Sequence, residues 1–376
     1  QGPIDIYVIA GQSNAVGSDT KLWNVKDEAD GREWATDYGV TVTTAGSAAE
    51  STYSSNVQYW GHVYNDDQDK LYMDYDNTVK FGLGYRSVEF GAEVGMSKIL
   101  DEKRSGRTSV IFKSAMGASS IADNGSLYNM WGEDGSLFPN WEKDLTGVVQ
   151  HYVENGYTVN LAGTFWMQGE ADSFNVANID AYESNLTALV KKMKGVYSDL
   201  KLENAKNAPF VIGKISHTYC CVGGDRTSYN DGIRAAQENV AKAMANENVV
   251  ALETPDISNP AEVSEHHFSS NQMLEIGENV AKTILEKSAL EMQHGASVRK
   301  NAPTGIRFGA TLSDDKYAEI IENGAYKSGY SVGMIVVPES YFNDYAAQTA
   351  ETDYYSYFSN VKGKLIDLRF DVDQLS

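Results

Sequence analysis

The chain has 376 residues, 42% of them apolar, which is enough for a large core and excludes global disorder. Its 52 acidic residues outnumber 31 basic ones, a net charge of −21 that repels phosphate backbones and anionic membranes, so nucleic acid and membrane insertion are not expected. No apolar run approaches the roughly 20 residues of a membrane helix, and the length suits one large domain with a smaller companion.

Strand-like sequence begins almost at once after Gln1 with no visible signal peptide, as expected of a processed secreted chain or a trimmed one. Residues 4–10 (IDIYVIA) predict a short buried strand ending at Gly11. Residues 19–80 are rich in Asp, Tyr, Ser and Gly and show no sustained period. They are expected to form a long irregular insertion of the kind that builds binding loops. A second strand is predicted at 108–113, followed by a similar irregular stretch at 118–140. Trp23, Trp34, Trp60, Trp131 and Trp141 lie in or beside these insertions. Each could stack on a sugar ring, but packing the loop down is the commoner use of such an aromatic.

Trp141, Leu145, Val149 and Tyr152 then mark one helix face, before a strand at 159–166. The clearest helix carries Ile179, Tyr182, Leu186, Leu189, Met193, Val196 and Leu200, and is followed by a strand at 209–215. Ile233, Gln237, Val240 and Met244 mark the next helix, 248–252 the next strand, and Leu274, Gly277, Ala281, Ile284 and Leu285 the last helix. Strands alternating with amphipathic helices predict parallel pairing with helices on both faces. The expected fold is a three-layer α/β/α domain over 1–290 with a five-stranded parallel sheet. Beyond it, 296–376 read as a small β-rich domain, whose completeness is open because the chain stops soon after a strand-like run. Cys220 and Cys221 are adjacent and cannot form a long-range staple; two thiols and an adjacent disulfide both remain open.

Chemistry-bearing residues collect where these strands end. The first strand runs into Gly11-Gln12-Ser13-Asn14, which places a serine just beyond a turn-forming glycine at a helix start. In an open parallel sheet that is where sites form, although an N-cap serine would look the same. The second strand ends in Ser114-Ala115-Met116-Gly117, where Gly117 lets a backbone N–H approach a reacting oxygen. The third ends in Gln168-Gly169-Glu170-Ala171-Asp172. Gln168 could donate to an oxyanion and Glu170 could orient its neighbours; a capped turn is the alternative. Before the last helix comes Glu265-His266-His267-Phe268. A lone histidine there is more often a surface or core residue than a base.

Taken together, GQSN, a Gly turn, QGEAD and HF before the last helix resemble the SGNH hydrolases, a flavodoxin-like fold family. The closer likeness is to the branch containing sialic-acid acetylesterases and other carbohydrate acetylesterases. Phe90-Gly91-Ala92-Glu93 is similar to that family's G-P-E helix start, and Arg234 with Gln237 supports the match.

The resemblance implies a serine esterase that removes acetyl groups from carbohydrate, with Ser13 as nucleophile and His267 as general base. It assigns the oxyanion hole to the N–H groups of Ser13 and Gly117 and the side chain of Gln168, and needs neither cofactor nor metal. The family's aspartate three residues before the histidine is Ser264 here. Glu265 could replace it, or the site could be a Ser–His dyad oriented by a backbone carbonyl, and the second reading is favoured. The expected substrate is an acetylated plant polysaccharide or oligosaccharide such as xylan or mannan, met outside a bacterial cell. A sialate O-acetylesterase and a non-catalytic glycan-binding module are the alternatives. Oligomeric state, sugar identity and the role of 296–376 are not legible.

Overall fold

A computed structural model describes residues 3–44, 48–65, 70–86, 88–104, 106–124, 129–218, 227–257 and 266–288, and short strands thereafter. Cys220, Cys221, Ser264 and Glu265 lie outside the described residues. By internal contact the chain divides into two units, Gln1–Ser288 and Ala289–Ser376.

The first unit opens with β1 (Pro3–Gly11), α1 (Ser13–Val16) and α2 (Trp34–Asp37), then a small hairpin of β2 (Val40–Thr44) and β3 (Ala48–Ser51). There follow β4 (Gln58–Asn65), β5 (Lys70–Thr78), α3 (Ala92–Lys103), β6 (Thr108–Ala115), α4 (Leu137–Glu154) and β7 (Thr158–Met167). The unit closes with α5 (Val176–Asp199), β8 (Phe210–Gly213), α6 (Thr227–Ala243), β9 (Val249–Leu252) and α7 (Ser270–Lys287). The second unit shows short antiparallel pairs, such as Leu290–Met292 with Ala310–Leu312 and Gly333–Val336 with Ile366–Arg369.

One seven-stranded sheet has the order β5-β4-β6-β1-β7-β8-β9. Every neighbouring pair is parallel except β5 against β4. The expected five-stranded sheet is therefore short by one parallel strand and one antiparallel edge strand. Both come from 58–78, inside the stretch read as an irregular insertion. Gln58–Gly61 pair with Val110–Lys113, so that segment takes its strand geometry from β6 rather than from a strong period of its own.

The alternation along β1 sorts its side chains into two cores. Ile4, Ile6, Val8 and Ala10 face one layer with Trp141, Leu145, Tyr182, Leu186, Ile233 and Val240 of α4, α5 and α6. Tyr7 and Ile9 face the other, with Val94, Met96, Leu274, Ile276 and Val280 of α3 and α7. Burial on both faces explains why β1 and β7 read as continuous apolar runs. α3 and α7 approach so closely that a Cβ on Gly277 would stand 2.2 Å from the Ala92 carbonyl oxygen. Of the loop tryptophans, Trp34, Trp131 and Trp141 are buried, which settles them as packing residues.

The order also fixes where a site belongs. From β1 the chain builds β4, β5 and β6 on one side, then crosses to β7, β8 and β9 on the other. β1 is the switch point, and the crevice beyond its carboxyl end is where open α/β sheets bind ligands.

Candidate active site

Three chain segments meet at that crevice, each delivered by a strand end. Gly11 terminates β1 at φ +143°, where an added Cβ would sit 2.0 Å from the Met167 carbonyl oxygen, so the nucleophile turn is pressed against the end of β7. The Gln12 N–H donates to Met167 O at 2.9 Å, and its side-chain oxygen accepts from the N–H groups of Gly169 and Ala171, both at 3.2 Å. Ser13 follows, half-buried, at the start of α1.

The loop after β6 stands beside it. The Met116 N–H donates to Gly11 O at 3.1 Å, and a Cβ built on Gly117 would lie 3.9 Å from the Ser13 Cβ. Among the described residues, neither the Ser13 nor the Gly117 N–H has an acceptor. Ala118 holds φ +54°, a left-handed conformation unusual for alanine, in the residue next to Gly117. Trp131 braces this loop by donating from Nε1 to the Ser119 hydroxyl at 3.0 Å.

Gln168 does not present a free amide. Its Nε2 donates to Ser119 O at 3.0 Å and to Asp172 Oδ2 at 2.6 Å, and its Oε1 accepts from the Tyr182 hydroxyl at 3.1 Å. Both N–H groups are engaged and the side chain is fully buried, so in this structure the expected oxyanion donor ties the Gly117 loop to Asp172. Asp172 completes the tie. Its carboxylate accepts from Ile121 N and Ala122 N at 2.9 and 3.0 Å, while burial pushes it above the usual carboxylate range and these N–H groups with Gln168 pull it back.

Glu170 is buried beside the nucleophile turn. Its Oε1 accepts from Asn14 Nδ2 at 2.6 Å, and among the described residues its Oε2 has no partner. Burial pushes this carboxyl up, opposed first by the Asn14 bond and less by the charge of His267. Asn14 in turn accepts the Phe268 N–H at 3.3 Å, which ties the histidine segment to the residue after Ser13. A capping box at Ser269 then starts α7 immediately after. Arg234 and Gln237 lie behind the site: Gln237 bridges Ile215 N and Gln168 O at 3.1 and 2.9 Å, and Arg234 holds Ile215 O at 2.5 Å and Glu253.

The His267 ring has a carboxylate partner that the sequence reading missed. Its Nδ1 lies 2.7 Å from Oδ2 of Asp19, in the loop just after α1. An Asp six residues beyond a serine is no recognised signal, and nothing in the local pattern would have selected it. The favoured expectation of a backbone carbonyl acceptor is thus corrected. Among the described residues, no three His, Cys, Asp or Glu side chains converge as a metal site, and no helix is long and apolar enough to cross a membrane.

A family model described as carbohydrate esterase, sialic acid-specific acetylesterase, matches residues 3–286. No curated protein matches the chain. Among solved structures, the chain resembles a protein from Arabidopsis thaliana at 18% identity and TM-score 0.47, over 76% of this chain and 98% of that one. It also resembles a carbohydrate acetylesterase from Xanthomonas citri at 14% identity and TM-score 0.44, over 78% of this chain and 60% of that one. An acetylxylan esterase from Geobacillus stearothermophilus is similar at 11% identity and TM-score 0.37, over 76% of this chain and 93% of that one.

Proposed function

The chain belongs to the sialic acid-specific acetylesterase family of carbohydrate esterases, and so removes acetyl groups from carbohydrate; on that premise we propose that Ser13 and His267 perform the hydrolysis on neutral plant polysaccharide or oligosaccharide. The observation that carries the catalytic assignment is the convergence of Ser13, the open Gly117 N–H and a carboxylate-bound His267 at one strand-end crevice.

In this reading Nδ1 of His267 is occupied, which leaves Nε2 to take the Ser13 proton as Oγ attacks the acetyl carbonyl. The C–O bond to Oγ forms while the carbonyl electron pair moves onto oxygen. That oxyanion is met by the Ser13 and Gly117 N–H groups. Collapse breaks the bond to the sugar oxygen, which leaves as the alcohol with the proton from His267. Water, deprotonated by the same imidazole, then releases acetate and restores Ser13. Gln168, Asp172 and Trp131 hold the Gly117 loop, and Glu170 orients Asn14.

A neutral xylan or mannan is favoured over a sialate by the charge of the chain: at −21 it opposes the approach of an anionic sugar. The same acidic surface suits a protein working outside a bacterial cell, with residues 296–376 as an accessory domain to polysaccharide degradation. The test is acetate release from acetylated xylan, acetylated mannan and O-acetylated sialic acid, with Ser13→Ala as the blank. Release from xylan or mannan well above sialate supports the proposal. Release from sialate alone replaces the substrate while leaving the catalytic residues in place, and activity retained in Ser13→Ala rejects the catalytic assignment.

A further inference from the structure

We infer that Asp19, contributed by the nucleophile's own loop, is the positioning residue that orients His267 and balances its positive charge during the reaction. The inference rests on the reading of Ser13 and His267 as nucleophile and base, and goes beyond it in saying where the third group comes from. In the pattern the sequence resembles, that group lies three residues before the histidine. Here the position is Ser264, whose hydroxyl carries no charge.

The contact is a 2.7 Å pairing of Oδ2 with Nδ1, and the two side chains are only 34% and 14% exposed. An ordinary surface pair of this kind contributes little, because two mobile side chains must be held together. Asp19 differs because its backbone is already held. It sits at φ +64°, in the left-handed region that aspartate and asparagine tolerate better than most residues. On one side Gly17 passes so near Phe90 that a Cβ there would meet its carbonyl oxygen at 2.4 Å. On the other side Thr20 is fully buried. Its hydroxyl donates to Phe90 O, and its carbonyl accepts the Phe90 N–H at 3.2 Å. The Leu22 N–H donates to Val88 O at 3.2 Å, and the Ser270 hydroxyl donates to Lys21 O at 2.8 Å. That last bond fixes the loop to α7, the helix that His267 precedes. Both partners are therefore anchored to one helix start.

Among the described residues, groups from several segments face this pair. Toward His267 stand Asp19, Glu170 and the neighbouring His266. Toward Asp19 stands Glu89, whose carboxyl receives the Asp19 N–H and which Lys21 and Arg86 approach. Burial first, and the charge of Asp19 second, push Glu89 above the usual carboxylate range. Glu170 is pushed up as well, by burial, and its bonded oxygen already serves Asn14. Among the described residues, Asp19 is a carboxylate in hydrogen-bond contact with the ring.

Removing the charge of Asp19 removes the stabilisation of the imidazolium formed in the transition state, and frees the ring to adopt the wrong tautomer. Turnover then falls even where the ring is neutral; the same substitution in a serine-protease triad costs about 10⁴-fold.

The experiment uses the full chain and 4-nitrophenyl acetate. Asp19→Asn keeps the shape and tolerates the left-handed backbone. Its kcat should fall by at least about 100-fold with KM within about threefold. Ser264→Ala and Glu265→Gln should stay within about tenfold of the parent. Asp19→Asn with kcat within threefold, or with KM raised as much as kcat falls, overturns the inference, as does a 100-fold loss in Glu265→Gln. Should Asp19→Asn misfold by circular dichroism, the Nδ1 proton of His267 in the Ser13→Ala protein decides. A strongly downfield, slowly exchanging resonance supports the pairing, and its absence across the titration overturns it. Undiminished hydrolysis by Ser13→Ala would instead remove the underlying reading, whatever Asp19 does.

Discussion

Replacing Gln168 separates two roles that its place after β7 leaves equally plausible. If its amide stabilised an oxyanion, Gln168→Ala would lower turnover by roughly 10²–10³-fold with little effect on folding. The structure spends that amide elsewhere: Nε2 on Ser119 O at 3.0 Å and on Asp172 Oδ2 at 2.6 Å, in a fully buried position. Truncation leaves a buried carbonyl without its donor and a buried carboxylate one bond poorer. The Tyr182 hydroxyl keeps its 2.7 Å bond to the Gln168 carbonyl and loses little. At about 1–3 kcal/mol for each of the two groups, the loss is about 2–6 kcal/mol of unfolding free energy.

Urea unfolding followed by tryptophan fluorescence reads this as a lower midpoint at unchanged slope. Turnover falls too, but through a loosened Gly117 loop. Gln168→Glu sharpens the test, because it keeps the shape and sets a second carboxyl against Asp172. Burial and that neighbour raise the folded-state pKa of the new group above its unfolded value of about 4.3. Its penalty is therefore small below about pH 4 and grows as pH rises through the folded value. An unchanged urea midpoint in Gln168→Ala, together with a 100-fold lower kcat, would refute this reasoning and return the amide to the oxyanion hole.

The two adjacent histidines should separate: His267→Ala loses several orders of magnitude in 4-nitrophenyl acetate turnover, while His266→Ala keeps more than about a tenth, and the reverse pattern would move the base by one residue. Lys113 is buried with Nζ 3.0 Å from Glu93 Oε1, 3.0 Å from Val16 O and 2.6 Å from Leu83 O, so it clamps the segments behind α1. Lys113→Met strands a buried carboxylate and should cost about 3–5 kcal/mol in urea unfolding, part of which Glu93→Gln restores in the double variant. Burial pulls the Lys113 pKa below the ordinary lysine range while Glu93 opposes it. The unfolded chain therefore holds this proton more tightly than the folded one, so stability should grow as pH rises between the two values, measured as a midpoint that rises on the alkaline side. Ala118→Gly relieves a left-handed alanine and should raise the melting temperature, by about 1 kcal/mol of stability; a lower one would mean that the methyl group packs usefully.

Local pattern was enough for the frame. β1 and β7 are apolar on both faces and end in polar, glycine-containing turns, so GQSN, Gly117 and QGEAD could be placed at one sheet edge from their positions after strands. The helices were legible for the same reason, since an amphipathic face repeats every three or four residues whatever its partner. Residues 58–65 were missed because a segment of mixed polar and aromatic residues becomes a strand only when β6 offers it a ladder. For Gln168, residue type and position fix what an amide can donate to, whereas the acceptors it meets in the fold, Ser119 O and Asp172, come from its surroundings. Asp19 shows the limit most clearly: 248 residues separate it from His267. A hydrogen bond across that span leaves no period, spacing or local propensity in the chain. It exists only because the loops after β1 and before α7 are held together by Ser270 and Asn14, with Thr20 fixing the first of them to Phe90, and that is a property of packing.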